Sequence, residues 1–323
     1  MSRAFRLVLR AREKLYESGF LSSLRLNHPV ISIGNLTVGG TGKTPLVIAL
    51  AEGLLDRGFH PVVLSRGYGR LSRGVLIVGS KGSGWEQWGD EPFLIKQRLG
   101  NVPVVVGANR YEAGMLAERK QLGDIFLLDD GFQHRRLHRD VDLVTIDPVE
   151  WAAGELLLPV GRWREPKAAI SRAHAACLQD VAGASRPDIP VPSFDVRTET
   201  DGIYKEDVLE PLENFKKRHV VAFAGIAKPE RFFGALESLG IRPVECVRFR
   251  DHHHYAAHEI ENLGGEILIT TEKDAVRLRT VTGRPYFYLR ISAKIPDFDG
   301  LMSLILSRLA KRDASRKDPN PRT

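Results

Sequence analysis

Apolar residues recur at helical spacing in the first segment of the chain. Phe5, Val8, Leu9, Leu15 and Tyr16 form one stripe, Arg3, Arg6, Arg10 and Lys14 a neighbouring one, and Gly19 offers a stop. A basic amphipathic helix of this kind can lie flat on an anionic bilayer or pack as a surface helix on its own domain. From Pro29 onward the pattern changes. Short β-branched runs at 30–33, 61–65, 102–106, 125–128 and 143–146 alternate with helical periodicity at 45–56, 92–99 and 111–120. Such alternation predicts an α/β fold, a mostly parallel sheet with helices on both faces.

Between 185 and 192 the chain is rich in proline and small residues, and strong periodicity lapses until about 219, so 185–218 reads as a linker or connecting ribbon. A second αβ series follows, with strands at 219–224, 244–249, 266–270 and 286–291 and helices at 229–239, 273–279 and 301–311. The expected division is an N-terminal amphipathic, membrane-associating helix at 1–27, a main domain at 28–200, a smaller C-terminal α/β domain at 201–312 and a polar, disordered tail at 313–323.

Composition narrows the class of function. With 323 residues, 43% of them hydrophobic, the chain can bury one large core or two ordinary ones. Cys177 and Cys246 stand in no paired motif, which argues against a disulfide framework or zinc site and for a reducing, cytoplasmic compartment. No apolar run is long enough to span a bilayer and no signal peptide is legible, so neither membrane crossing nor export is expected. The net charge of +7 fits an anionic partner. Without zinc-finger spacing, an aromatic RNA-binding signature or a helix-turn-helix, nucleic acid is not the expected one.

The strongest chemical signal is Gly39-Gly40-Thr41-Gly42-Lys43-Thr44, directly after the strand at 30–33. Glycines let successive backbone N–H groups turn inward around phosphate oxygens, and the following helix adds the positive end of its dipole. Lys43 would reach the β- and γ-phosphates of ATP and the Thr44 hydroxyl would ligate Mg²⁺. Pro45 suits the first helical turn. Thr37 stands where the usual spacing has a further glycine, a departure from the motif.

Several acids could serve such a loop. The hydrophobic run from Asp124 ends in Asp129-Asp130-Gly131; adjacent acids at a strand end point in different directions, so at most one need be a direct metal ligand. Gly89-Asp90-Glu91-Pro92 opens a helix, where an acid serves equally as N-cap or as a firmly held base. Asp90 and Asp129 compete for the role of base at this point. His252, His253 and His254 are consecutive and cannot all face one ion, so a histidine paired with an acid is the better reading than a metal site. Thr271-Glu272-Lys273-Asp274 reads as a capping box and needs no catalytic part.

Taken in order, these segments resemble one family. Asn35-Leu36-Thr37-Val38-Gly39-Gly40-Thr41-Gly42-Lys43-Thr44-Pro45, Leu64-Ser65-Arg66-Gly67-Tyr68-Gly69, Gly89-Asp90-Glu91-Pro92, Leu128-Asp129-Asp130-Gly131-Phe132-Gln133-His134, Arg164-Glu165-Pro166, Asp251-His252-His253 and Thr271-Glu272-Lys273-Asp274 are similar to the tetraacyldisaccharide 4′-kinases of lipid A synthesis. The Asp-Asp-Gly-Phe-Gln-His run is far more specific than a phosphate loop. The resemblance implies a P-loop kinase domain, a second α/β domain joined by a ribbon, and ATP-Mg²⁺ bound between them. It also implies phosphoryl transfer to the 4′-hydroxyl of a tetraacylated glucosamine disaccharide 1-phosphate at the cytoplasmic face of the bacterial inner membrane, by peripheral lipid contact and with no obligate protein partner.

By the same resemblance Asp90 becomes the base, helped by His252. Thr37, Gly39, Gly40, Thr41, Gly42, Lys43 and Thr44 form the nucleotide cradle. Asp129, Asp130 and Glu165 become candidates for metal binding and active-site electrostatics, and Arg164 for phosphate contact. Arg66, Tyr68, Arg110, Gln133 and His134 form a pool of donors for a sugar phosphate. Two further departures stand out: Arg162-Trp163 where a Pro-Leu type sequence is commoner, and Ala227-Lys228 where Gly-Asn is expected. A nucleotide-switched delivery protein and a soluble small-molecule kinase are the rival readings of the loop. The lipid substrate adds weight to the N-terminal helix, because each methylene withdrawn from a bilayer costs about 0.8 kcal/mol and the enzyme must come to the lipid.

Overall fold

The computed structural model describes residues 2–79 and 84–317, the first three and last five of these as backbone only. Helix α1 (Ser2–Glu17) is followed by β1 (Val30–Asn35), α2 (Lys43–Leu55), β2 (Pro61–Ser65), β3 (Leu76–Ile77), α3 (Asp90–Leu99), β4 (Val104–Val106), α4 (Arg110–Arg119), β5 (Ile125–Asp129), β6 (Val141–Ile146), α5 (Pro148–Ala152) and β7 (Ala175–Gln179). A long strand, β8 (Ser193–Lys205), turns back through β9 (Val208–Glu210). The second series is β10 (Val220–Ala224), α6 (Pro229–Ser238), β11 (Glu245–Arg248), α7 (Ala257–Glu261), β12 (Ile267–Thr271), α8 (Glu272–Leu278), β13 (Phe287–Lys294) and α9 (Phe298–Lys317).

The strands join in one sheet, ordered β11-β10-β12-β13-β8-β7-β6-β1-β5-β2-β4-β3, with β9 paired to β8. The neighbours of β1, β5, β6 and β7 run parallel, as do β10 with β11 and β12. Fully buried β-branched and leucine side chains on both faces make this possible, since parallel strands must be covered on each side. Strand β8 belongs to both units. Ser193–Val196 pairs in parallel with β7, while Arg197–Tyr204 pairs antiparallel with β13. The stretch expected as a linker or ribbon at 185–218 therefore contains a structural strand at Ser193–Lys205, hidden because its Thr, Glu and Asp positions lie part-exposed and break the apolar alternation.

Strand β7 and helix α9 also differ from the sequence reading. Strand β7, Ala-Ala-Cys-Leu-Gln, carries no β-branched residue and gave no strand signal, yet all five of its residues are buried. Helix α9 runs on to Lys317, so 313–317 is helical rather than disordered; 318–323 lies outside the described residues. Its Ala, Arg and Lys positions are good helix formers that extend a helix already anchored upstream. The anchor is Leu301, Met302, Ile305 and Leu309, which pack in the large core with Ile31, Leu46 and Leu143, across the expected 200/201 boundary. Among the described residues no helix is long and apolar enough to cross a membrane.

Candidate active site

Parallel strands deliver their following loops to one edge of a sheet, and ligands of such folds bind there. From β1 comes the phosphate loop, from β2 Arg66 and Tyr68, and from β5 Asp129 and Asp130; the histidine run follows β11 of the second series, whose strands run opposite to the first across the β8–β13 pair, and reaches the site by contact with Asp90. The loop is held from beneath by neutral polar groups. Buried Asn35 donates to the Thr37 carbonyl at 2.6 Å and to Thr41 Oγ1 at 3.0 Å, and Thr41 Oγ1 lies 2.9 Å from Thr145 Oγ1. Gly39 and Gly42 have φ of 110° and 73°, which glycine adopts without strain. A Cβ at Gly39 would also stand 2.2 Å from an Arg162 nitrogen. Lys43 opens α2, which sets this lysine at the positive end of the helix dipole.

Lys43 Nζ lies 3.5 Å from Asp130, which Arg164 grips with one nitrogen at 2.8 and 2.9 Å. Burial would raise the Asp130 carboxyl, but Lys43 and Arg164 outweigh it and hold the group at about 2. Asp130 has φ 51°, a left-handed conformation that Asp tolerates, and this turns its side chain away from that of Asp129. Asp129 is 2% exposed and accepts from Ser65 Oγ at 2.9 Å. Burial, with Glu91 and Asp130 adding repulsion, pushes its carboxyl up to about 7 against the pull of Lys43. The two acids differ: Asp130 is paired with Lys43 and Arg164, while for Asp129 burial and the neighbouring acids outweigh the pull of Lys43.

This makes Asp129 a pH-linked weak point of the nucleotide-free protein. The fold holds its proton up to about pH 7, whereas an unfolded carboxyl releases it near 3.8, so the folded state binds the extra proton between those values. Stability from this residue is present below that window and is lost as pH rises through it. Asp129→Asn, which can still accept from Ser65, is expected to melt several degrees above the wild type at pH 8 and level with it at pH 4. Thermal denaturation of the metal- and nucleotide-free proteins at both pH values checks this; no difference at pH 8 would contradict it.

Asp90, at the first position of α3, is 3% exposed and meets His252 from the other unit, with Oδ2 2.9 Å from His252 Nδ1. Arg277 Nε and Lys273 Nζ, both on α8, lie 3.7 and 3.9 Å from the same oxygen. Burial would raise the Asp90 carboxyl; Lys273, the His252 hydrogen bond and Arg277 outweigh it and hold the carboxyl far below its usual range. His252 has φ 57°, an uncommon conformation held by this packing, and the Tyr68 ring lies over it at 5.3 Å between centroids. The other two histidines go elsewhere, His253 to Glu259 at 2.9 Å and His254 against Trp85 at 5.1 Å. Among the described residues no three His, Cys, Asp or Glu side chains are grouped to hold a metal.

The remaining candidates divide. Gln133 donates to the Asn35 carbonyl at 2.9 Å and so braces β1. Arg110 is buried beside Asp129 and Asp130 and donates to the Ala108 carbonyl at 2.9 Å. Burial, then Arg110 and Arg139, lower the His134 imidazole to about 4. Tyr68 and Arg66 are exposed. Glu165 is buried and paired with Arg172, with Arg12 of α1 at 3.6 Å. Its charge is thus balanced by arginines, which makes it a poorer cation ligand than Asp129. Lys273 and Arg277 escaped the sequence reading because the capping box accounted for their segment: Thr271 does cap α8 through the Asp274 N–H at 3.1 Å.

The family model for tetraacyldisaccharide-1-P 4′-kinase matches residues 1–310. The chain belongs to that family. It is 39% identical to tetraacyldisaccharide 4′-kinase of Koribacter versatilis over 97% of this chain and 98% of that one. The Aquifex aeolicus enzyme of the same name is 39% identical over 92% and 94%. A crystal structure of the apo form of LpxK from Aquifex aeolicus in complex with ATP superposes with a TM-score of 0.81 at 36% identity, covering 95% of this chain and 96% of that one.

Three residues noted as departures in the sequence, Thr37 from the usual phosphate-loop spacing and Arg162 and Lys228 from the expected family pattern, meet at one place. Thr37 Oγ1 donates to Glu150 at 2.6 Å, Arg162 lies 3.2 Å from Glu150 and donates to the Val38 carbonyl at 2.8 Å, and Lys228 lies 2.9 Å from Glu150. Lys228 and Arg231 also pair with Asp147, which caps α5. The departures are one compensated cluster that braces the near side of the phosphate loop.

Proposed function

We propose that the chain transfers the γ-phosphoryl group of ATP to the 4′-hydroxyl of a tetraacylated glucosamine disaccharide 1-phosphate. The observation that supports this reading is a glycine cradle with Lys43 after β1, together with a buried Asp90–His252 pair formed where α3 meets the loop after β11. In phosphoryl transfer the protein chiefly positions the reactants and stabilises charge. Gly39–Thr44 backbone groups and Lys43 cradle the phosphates, Asp90 takes the proton of the sugar hydroxyl while His252 orients it, and Arg164 holds Asp130 against Lys43. Arg66, Tyr68, Arg110, Gln133 and His134 remain the donor pool for the sugar phosphate.

A divalent cation fits beside Asp129, whose buried carboxyl is only partly countered by Lys43. Mg²⁺ would be held by Thr44 and Asp129, with most of its oxygens from nucleotide and water, and would neutralise phosphate charge. Incubating purified protein with ATP and the disaccharide lipid in detergent tests the reading by mass spectrometry. A product heavier by one phosphate is expected. Hydrolysis stimulated by a protein partner without lipid product would instead indicate a nucleotide-switched delivery protein.

The same reading puts the enzyme on the inner membrane's cytoplasmic face through α1. Phe5 and Leu9 pack inward on the core around Trp151, Leu157 and Trp163, while Leu7 and Val8 are 65% and 63% exposed, near exposed Arg10 and Lys14. The apolar residues of this helix are therefore shared between the domain's own core and solvent, and the exposed ones are what a bilayer would take up. Leu7→Ser with Val8→Ser is expected to weaken partitioning to anionic vesicles at least about tenfold, since each apolar side chain buried contributes roughly 1.5–3 kcal/mol. Turnover on detergent-dispersed lipid should stay near wild type. Unchanged vesicle sedimentation would remove this role.

A further inference from the structure

The Asp90–His252 pair leaves open which ring nitrogen carries the proton, and one neighbour bears on it. Lys273 Nζ lies 3.3 Å from His252 Nε2 and 3.0 Å from Glu91, while its side chain is only 20% exposed. An ammonium has three N–H donors and no acceptor. Burial would lower the pKa of Lys273, but Glu91 and Asp90, with Asp251, outweigh it and push it up to about 12, so it stays charged. The nitrogen that faces it must then present a lone pair.

We propose that Lys273 is a positioning residue of the phosphoryl transfer: it donates to His252 Nε2, confines the imidazole proton to Nδ1, and so makes His252 a donor to Asp90. The inference rests on the kinase reading for its catalytic consequence, while the tautomer follows from geometry. Both ring nitrogens are then engaged, and the oxygen left to take the substrate proton belongs to Asp90. The groups facing the pair are Lys273 and Arg277 from α8, with Glu91 and Asp274 as their counter-charges, and the Tyr68 ring from the loop after β2. Lys273 also bridges the two units, because Glu91 lies on α3 and Lys273 on α8. Arg98 of α3 pairs with Glu272 of α8 at 2.9 Å in the same seam. The histidine is thus set in its tautomer by the contact that docks one unit on the other.

The primary measurement uses the wild-type chain labelled with ¹⁵N-histidine, His252 being assigned by the signal lost in His252→Gln. Long-range ¹H–¹⁵N spectra are expected to show a neutral ring protonated at Nδ1. A ring protonated at Nε2, or at both nitrogens near pH 8, overturns the proposal whether or not any variant folds. In Lys273→Met the Nε2–H form should appear. Turnover should fall roughly ten- to a hundredfold, the range for losing a partner that orients a functional histidine. The KM for ATP should hold. The acid limb of the turnover profile should move up by roughly 1–3 pH units, because an opposite charge within a few ångströms of Asp90 is gone. A folded Lys273→Met with wild-type turnover, pH profile and tautomer would also overturn it. Failure of the kinase reading has a different signature, an absence of phosphorylated lipid from the wild type with the histidine spectra still readable.

Discussion

Asp90→Asn is expected to lower turnover by roughly 10²–10⁴-fold, the usual contribution of a positioned general base. The substitution keeps the shape of the side chain at the entry of α3 and the acceptor oxygen for His252, but removes the charge that would receive the hydroxyl proton. Asp90 is 3% exposed and lies among His252, Lys273 and Arg277. Its removal deprives Lys273 and Arg277 of one buried counter-charge, so a lower melting temperature should accompany the loss. The phosphate loop does not depend on it, and the KM for ATP should remain within a few-fold of wild type. Steady-state rates with the lipid acceptor, alongside melting curves, check both parts. A variant keeping most of the rate would move the base elsewhere, with Asp129 the first alternative, since that carboxyl sits at about 7 before any cation binds.

Lys43→Met should cost about 10²–10³-fold in kcat/KM for ATP, the range for one preorganised charge-stabilising group. Here the lost charge has a second partner. Lys43 and Arg164 together hold Asp130 ionised at about 2, and Arg164 at 2.8 Å remains when Lys43 is gone. The fold is therefore expected to survive while nucleotide binding does not. Saturating Mg-ATP at a hundredfold its dissociation constant stabilises a protein by about 2.7 kcal/mol. The thermal upshift that this produces in the wild type should shrink or vanish in Lys43→Met and be absent from a variant that also carries Thr44→Ala. Equal upshifts in all three proteins would mean that nucleotide is not held by the cradle.

Much of the architecture was legible because the signals are local. A β-branched run is buried on both faces wherever it pairs, and a glycine cluster between strand and helix has few other uses, so β1, β2, β5, α2 and the loop between β1 and α2 lie within a few residues of where the pattern put them. Strand β7 was lost because Ala175, Ala176 and Cys177 owe their strand state to the neighbours β6 and β8, not to their own propensity. The return of α9 to the first core has the same cause: an apolar helix face reports that it will be buried, never against what.

For the site the division is similar. Residue order alone reveals the cradle, the acid pair after β5 and the acid opening α3, since each depends on backbone geometry within one segment. Contacts across long stretches of chain were supplied by folding: His252 against Asp90, Lys273 against Glu91 on the facing helix, and the gathering of Thr37, Arg162 and Lys228 on Glu150. The distinction between Asp129 and Asp130, adjacent and chemically identical in sequence, also arises there. Burial in a low dielectric and the placement of cations act through space, and the chain's linear order encodes neither.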